Sequence, residues 1–436
     1  MPLLSAALTL ALHLDGGHAA GDRCVSAADQ ADIHAVLAAR RGAGTGGPRG
    51  APQFAWPLRP TAGLAAFNVF NYFAITNQFD HDPGPGLLDY ACGERTYDGH
   101  SGTDIALHPL SWNMMDAGVI TVVAAAPGEI VYRHDGEFDR NCDGPDVPAN
   151  KVGIEHADGS SSWYIHLRNG SVTGLDVGDT VATGDYLGTI GSSGKSSGPH
   201  LHFAAYDPDG ELVDPFYDPD GCNDLAAASG WADQLPYNNP QVHSILFTEQ
   251  AYESVCGEAT ETHERTHYCP GETFYFYRHV SGVAELERFT SGLRDGAGAE
   301  FSSDELEIDD YDKYTWYESV YLPPDAAPGE WTATISHRGV DYTRSFTVGG
   351  PDCPALTCDG DWDCPGGQVC EVGVCAPDPC ADGGACGDDP EAMSTYPSSP
   401  AQDTGSLGCG VDGDARRPAL ALLLIVAAVR RRKRSG

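Results

Sequence analysis

Residues 191–203 read GSSGKSSGPHLHF, a Gly- and Ser-rich loop that runs through Pro199 into the alternation His200, Leu201, His202, Phe203. Successive side chains of an extended strand face opposite sides, so His200 and His202 share one face and Leu201 and Phe203 point into the sheet. Two imidazoles on one face are close enough to serve one site. Outward from this strand, VITVVAAAPGEIVYR (residues 119–133) and KVGIEH (residues 151–156) are short β-rich runs broken by Gly, Asp and Pro turns. That is the pattern of an antiparallel sheet protein. Gly (53) and Pro (30) make up nearly a fifth of the 436 residues, which disfavours an all-α reading, and the fold class expected is mainly β.

The same region carries the remaining chemistry. His100 and Asp104 are separated by a small, turn-prone tripeptide, and His166 lies in the apolar run WYIHL, residues 163–167. A catalytic zinc site takes three protein ligands from His, Asp or Glu and keeps a fourth position for water. His100, Asp104 and one of the His200/His202 pair supply that count. The other histidines, with ordinary pKa values near 6.5, suit proton transfer and hydrogen bonding to an oxyanion.

With those residues placed, the stretch from about residue 88 to 216 resembles the lysostaphin-type and LytM-type zinc metalloendopeptidases, which cleave peptide bonds in peptidoglycan cross-links and stems. His100 and Asp104 match that family's H-x-x-x-D, IEHADGSSSWYIHL matches the strand bearing its histidine, and LDVGDTVATGDYLGTIGSSGKSSGPHLHF (residues 175–203) matches its closing segment. The resemblance implies an antiparallel β peptidase domain, metal ligands His100, Asp104 and His202, catalytic histidines His166 and His200, and one catalytic zinc ion. It covers less than a third of the chain. Residues 134–149, HDGEFDRNCDGPDVPA, are an insertion where the family has shorter turns.

Around that domain the chain divides by composition. Residues 1–20 open with the apolar MPLLSAALTLALHL and are read as a signal peptide. Residues 21–52 hold a short helix expected at 27–41 and a Gly-rich linker, and the peptidase domain is assigned 53–239. Residues 240–350 read as an immunoglobulin-like β-sandwich of short alternating strands, with a hairpin turn at Arg338-Gly339. Residues 351–386, which hold seven of the 14 Cys, read as a disulfide module. A polar linker spans 387–408. The tail at 409–436 resembles a C-terminal sorting tail of the MYXO-CTERM kind, with Cys409, an apolar run and a terminal Arg cluster. Its twelve apolar residues reach only about 18 Å as a helix, short of the roughly 30 Å hydrocarbon core, so membrane contact is expected only through this tail.

The formal net charge of −38 repels phosphate backbones and excludes nucleic-acid binding. It also disfavours adhesion to anionic wall polymers, which keeps secreted proteins beside peptidoglycan peptides as substrates. The rival reading is a non-catalytic surface adhesion or scaffold protein that uses the same fold to bind wall components.

Three other features are read as structural. His108, His134 and His156 are taken as hydrogen-bonded strand or loop residues. His263-Glu264-Arg265-Thr266-His267 satisfies H-E-x-x-H, but no apolar stripe supports the helix that motif needs, and the flanking Cys256 and Cys269 are expected to pair. The DPDG turns at 207–210 and 218–221 lack the full calcium-loop pattern. With Cys409 set aside, thirteen Cys remain, so at least one has no intramolecular partner.

Overall fold

A computed structural model describes residues 9–12, 24–41, 52–223, 227–251, 255–258, 264–309, 311–354, 368–371 and 374–377. Most of the leader, the Gly-rich linker, most of the cysteine-rich module, the polar linker and the sorting tail lie outside these residues. The described chain is mainly β and its sheets are almost wholly antiparallel.

The site rests on an eight-stranded sheet in the order Phe73–Asn77, Thr103–Leu107, His200–Tyr206, Ser161–Ile165, Lys151–Glu155, Gly128–His134, Thr180–Val181, with Leu212–Val213 added beside His200–Tyr206. One face packs on a three-stranded sheet formed by Leu58–Pro60, Ile120–Val123 and Tyr186–Thr189. Ile105, Ile130, Ile154, Tyr164, Leu201 and Phe203 meet Ile120, Val122 and Leu187 in the core between them. Leu201 and Phe203 thus point where their alternation predicts.

The opposite face, shared by His200, His202, Ala204 and Tyr206, is covered by the helix Ala27–Arg41. Ser26 starts this helix by accepting from Asp29 N at 3.1 Å. Ile33 and Leu37, one turn apart, bury with Val25 against Trp163, Ile165, Ala204 and Tyr206. The helix bounds agree with the sequence expectation.

The second unit of β-structure is a two-sheet sandwich. Tyr311–Tyr321, Thr273–Val283 and Gln241–Thr248 form one sheet, to which Thr9–Leu12 adds an edge strand. His267–Tyr268, Val340–Val348, Gly329–His337, Glu287–Arg294 and Glu300–Ile308 form the other. Phe247, Phe274, Phe276 and Trp316 face Phe289, Trp331, Ile335 and Phe346 between them. The expected hairpin is present: Arg338 and Gly339 take φ of 49° and 80°, the double positive φ that a two-residue turn between twisted strands requires.

The disulfides correct one expectation. Cys256 does not pair with Cys269: Cys256 bonds Cys142, Cys269 bonds Cys353, and Cys92 bonds Cys222. Cys256 follows the strand Gln241–Thr248 and meets the insertion at 134–149, where Arg140 Nε donates to Gly257 O at 2.5 Å. Cys269 follows a strand paired in parallel with Val340–Val348, which brings Cys353 alongside. Cys353 therefore staples the sandwich and does not belong to the cysteine-rich module. Within that module, Cys370 and Cys375 face each other across a small hairpin and both are disulfide-bonded.

Candidate metal centre

Sheet register assembles the site. In the antiparallel pair, His202 lies directly opposite Asp104, and on its other side it faces Ile165, the residue before His166. His100 precedes the strand Thr103–Leu107 on a turn closed by its own N–H to Tyr97 O at 3.0 Å. His166 stands just past the strand Ser161–Ile165. A regular strand would turn His166 to the core side with Tyr164; instead its φ of 70° swings it to the site side.

Backbone carbonyls fix three of the four rings. Nδ1 of His100 donates to Gln78 O at 2.5 Å, that of His166 to Ser193 O at 2.6 Å, and that of His200 to Gly198 O at 2.8 Å. A carbonyl only accepts, so each Nδ1 carries the proton and each Nε2 presents a lone pair inward when the ring is neutral. For His202 the buried Nε2 has no partner, and Nδ1 points to the Asp104 carboxylate at 3.0 Å. His100 Nε2 is 3.3 Å from His202 Nδ1 and 3.2 Å from Asp104 Oδ1. Asn77 Nδ2 donates to the other carboxylate oxygen at 3.0 Å.

His100 Nε2, Asp104 Oδ1 and His202 Nδ1 thus stand within 3.3 Å of one another, and with the His202 proton on Nε2 all three would present lone pairs to one point. A divalent cation about 2.0–2.2 Å from each donor asks for that spacing, so the donor set fits a zinc ion with two imidazoles and one carboxylate. His100, Asp104 and His202 are brought together, and His166 and His200 stand beside them with ring centroids 4.5 Å apart.

The electrostatics separate the two flanking rings. Burial, aided by His200 and His202, drives His166 well below the usual imidazole range. For His200 burial works in the same direction, but Asp104 and Cys24 outweigh it and hold the ring well above that range. Burial would raise the Asp104 carboxyl, yet His100 and His200 hold it well below its ordinary value.

Sequence reasoning missed Cys24. Its Sγ lies 3.0 Å from His166 Nε2 and 3.3 Å from His200 Nε2, and within 4.8 Å of the inward atoms of Asp104 and His202. The odd cysteine count pointed to an unpaired thiol but not to which one. Of the other histidines, His156 is hydrogen-bonded as expected, to Pro127 O and Ser162 Oγ at 2.9 and 3.0 Å, whereas the buried Nε2 of His108 has no hydrogen-bond partner. Of the H-E-x-x-H string, His263 lies outside the described residues, while Glu264 and His267 sit in bridge and strand, not on a helix.

Residues 98–215, which contain His100, Asp104, His166, His200 and His202, match the family model described as Peptidase family M23. Over 55 residues the chain is 44% identical to the glycyl-glycine endopeptidase ALE-1 of Staphylococcus capitis, covering 12% of this chain and 14% of that protein. Over 84 residues it is 37% identical to the cell division protein DipM of Caulobacter vibrioides, covering 19% and 12%. The matched stretches span less than a sixth of these relatives. A solved structure of a mutant catalytic domain of the prophage-encoded M23 protein EnpA from Enterococcus faecalis aligns at 26% identity over 33% of this chain and 88% of that one, with a TM-score of 0.22.

Proposed function

We propose, on the premise that residues 98–215 are a Peptidase family M23 domain, that this chain is an exported zinc metalloendopeptidase of peptidoglycan cross-links or stem peptides. The observation that carries the reading is the convergence of His100 Nε2, Asp104 Oδ1 and His202 Nδ1 within 3.3 Å of one another. Those atoms would hold one zinc ion. Bound there, the ion supplies Lewis-acid polarisation of a carbonyl and a strong nucleophile at neutral pH.

The chain's own residues supply the proton work. His166, kept neutral by burial and anchored to Ser193 O, presents a lone pair able to take a proton. His200, anchored to Gly198 O through Nδ1, turns Nε2 toward the site, where it is placed to donate to a developing oxyanion. The relative's printed activity on glycyl-glycine bonds makes glycine-rich cross-links the first substrate to try. Export is supported by the apolar leader and by disulfides, which persist in oxidising compartments.

The test is metal analysis of the purified chain followed by peptidoglycan digestion with and without a chelator. One zinc per chain and release of peptide fragments that the chelator abolishes is the expected result. Binding of peptidoglycan without turnover in every metal state would replace the enzyme with the scaffold reading.

A further inference from the structure

Cys24 lies outside the matched domain, ahead of the Gly-rich stretch at 42–52, yet its Sγ stands among the site atoms at 3.0 Å from His166 Nε2 and 3.3 Å from His200 Nε2. We propose that Cys24 is a further ligand of the ion held by His100, Asp104 and His202, and that residues 24–41 form an inhibitory segment that keeps the peptidase latent. The inference rests on the function proposed above.

Ligand chemistry supports it first. A three-ligand zinc site leaves a position for solvent, and a thiolate, a soft donor that zinc binds well, fills that position when it is held there. As the sulfur–metal bond forms, the thiol proton passes to solvent. Cys24 Sγ, an Asp104 oxygen and a His202 nitrogen lie within 4.8 Å of one another. Among the described residues Cys24 is the free cysteine, so no disulfide accounts for its place.

The thiol is also held there by dedicated contacts. Asp29 Oδ1 accepts from Lys151 Nζ at 2.6 Å, both groups fully buried, and from Ala149 N at 3.1 Å. Asp32 Oδ2 accepts from Lys151 Nζ at 3.0 Å and from the Tyr132 hydroxyl at 2.6 Å. Arg40 spans Glu129 and Glu155 at 3.0 and 2.9 Å. The helix lies on the sheet face that carries the site histidines, so a substrate peptide and this segment compete for one surface. With the segment docked, none of His100, Asp104, His166, His200 and His202 exceeds 5% exposure.

The experiment uses the full-length chain loaded with cobalt(II) in place of zinc. A thiolate-to-cobalt charge-transfer band in the wild type, absent from Cys24→Ser, is the expected signature. In parallel, maleimide labelling of the Cys24 peptide, read by mass spectrometry, should be blocked in the metal-loaded chain and restored by a chelator. Because only chains with an undocked segment turn over, Cys24→Ala should raise peptidase activity about tenfold or more. Stoichiometric cobalt without the band, or labelling of Cys24 indifferent to metal, overturns this inference and leaves the peptidase reading intact. Failure of both wild type and Cys24→Ser to bind metal overturns both together.

Discussion

His166 is the residue at which local backbone and chemistry meet. Its φ of 70° costs a non-glycine residue about 1 kcal/mol or more, and the 2.6 Å bond to Ser193 O together with complete burial holds it there. Removing the ring leaves the three ligand atoms untouched. His166→Ala should therefore keep its bound metal while kcat falls by about 10²–10⁴-fold, the usual worth of a positioned proton acceptor. Metal content and kcat measured on the same preparation check this, and loss of the metal in that variant would make His166 a structural support for the ligands. Spacing and alternation made the clustering legible, with His200 and His202 two apart on a strand and His100 and Asp104 around a turn, while the choice between His200 and His202 as ligand came from the family resemblance. Less legible was how His166 reaches the site, since nothing in WYIHL announces a left-handed residue. Gln78, Ser193 and Gly198 were also invisible, because they act through backbone carbonyls that any residue type provides.

At the scale of elements, the helix Ala27–Arg41 is a short amphipathic piece that leans on tertiary contacts for its stability. Lys151 is fully buried between Asp29 and Asp32. Breaking a buried ion pair by removing one partner costs about 3–5 kcal/mol, and Asp32 remains to soften the loss, so Asp29→Ala should cost about 3 kcal/mol. Undocking the helix lets Lys151 reach water, which limits how much of that cost falls on the domain beneath. The variant should thus label faster at Cys24 while the urea midpoint of the sheet moves little; an unchanged labelling rate would show that the ion pair does not hold the helix down. The helix itself was expected over 27–41 and is found there. Its docking site was not legible, because an apolar pair such as Ile33 and Leu37 identifies a buried face without saying what covers it. Cysteine pairing failed for a related reason: Cys256 and Cys269 are near in sequence, but strand register carries them to different partners.

Across the whole molecule, three histidines pack together where the peptidase domain meets the sandwich. His108, at the end of the strand Thr103–Leu107, packs against His243 and His279 with ring centroids 4.5 and 5.8 Å away. His243 bonds Ser281 Oγ at 2.6 Å and His279 bonds Ser244 Oγ at 2.8 Å. Burial lowers His243 to about 3 and His279 to about 3, and drives His108 well below the usual range, with the neighbouring imidazoles adding to it for His108 and His279. Their folded pKa values lie below the unfolded one near 6.5, so their contribution is complete above that value. It is lost as pH falls from there toward 3, because the unfolded chain takes up protons that the folded rings refuse. Each histidine adds up to about 1.4 kcal/mol per pH unit in that window. Urea midpoints should drop between neutral pH and about pH 5, and His108→Phe should flatten the drop; an equal slope in that variant would remove the cluster as its cause.

The bond between Cys142 and Cys256 spans the boundary between the two units of β-structure and joins positions 114 apart in sequence. A single nick anywhere between them divides the polypeptide without dividing the particle: the fragments diffuse together and separate on a gel only after reduction. Where hydrolases are present, the two folded units would outlast the continuity of the chain that made them.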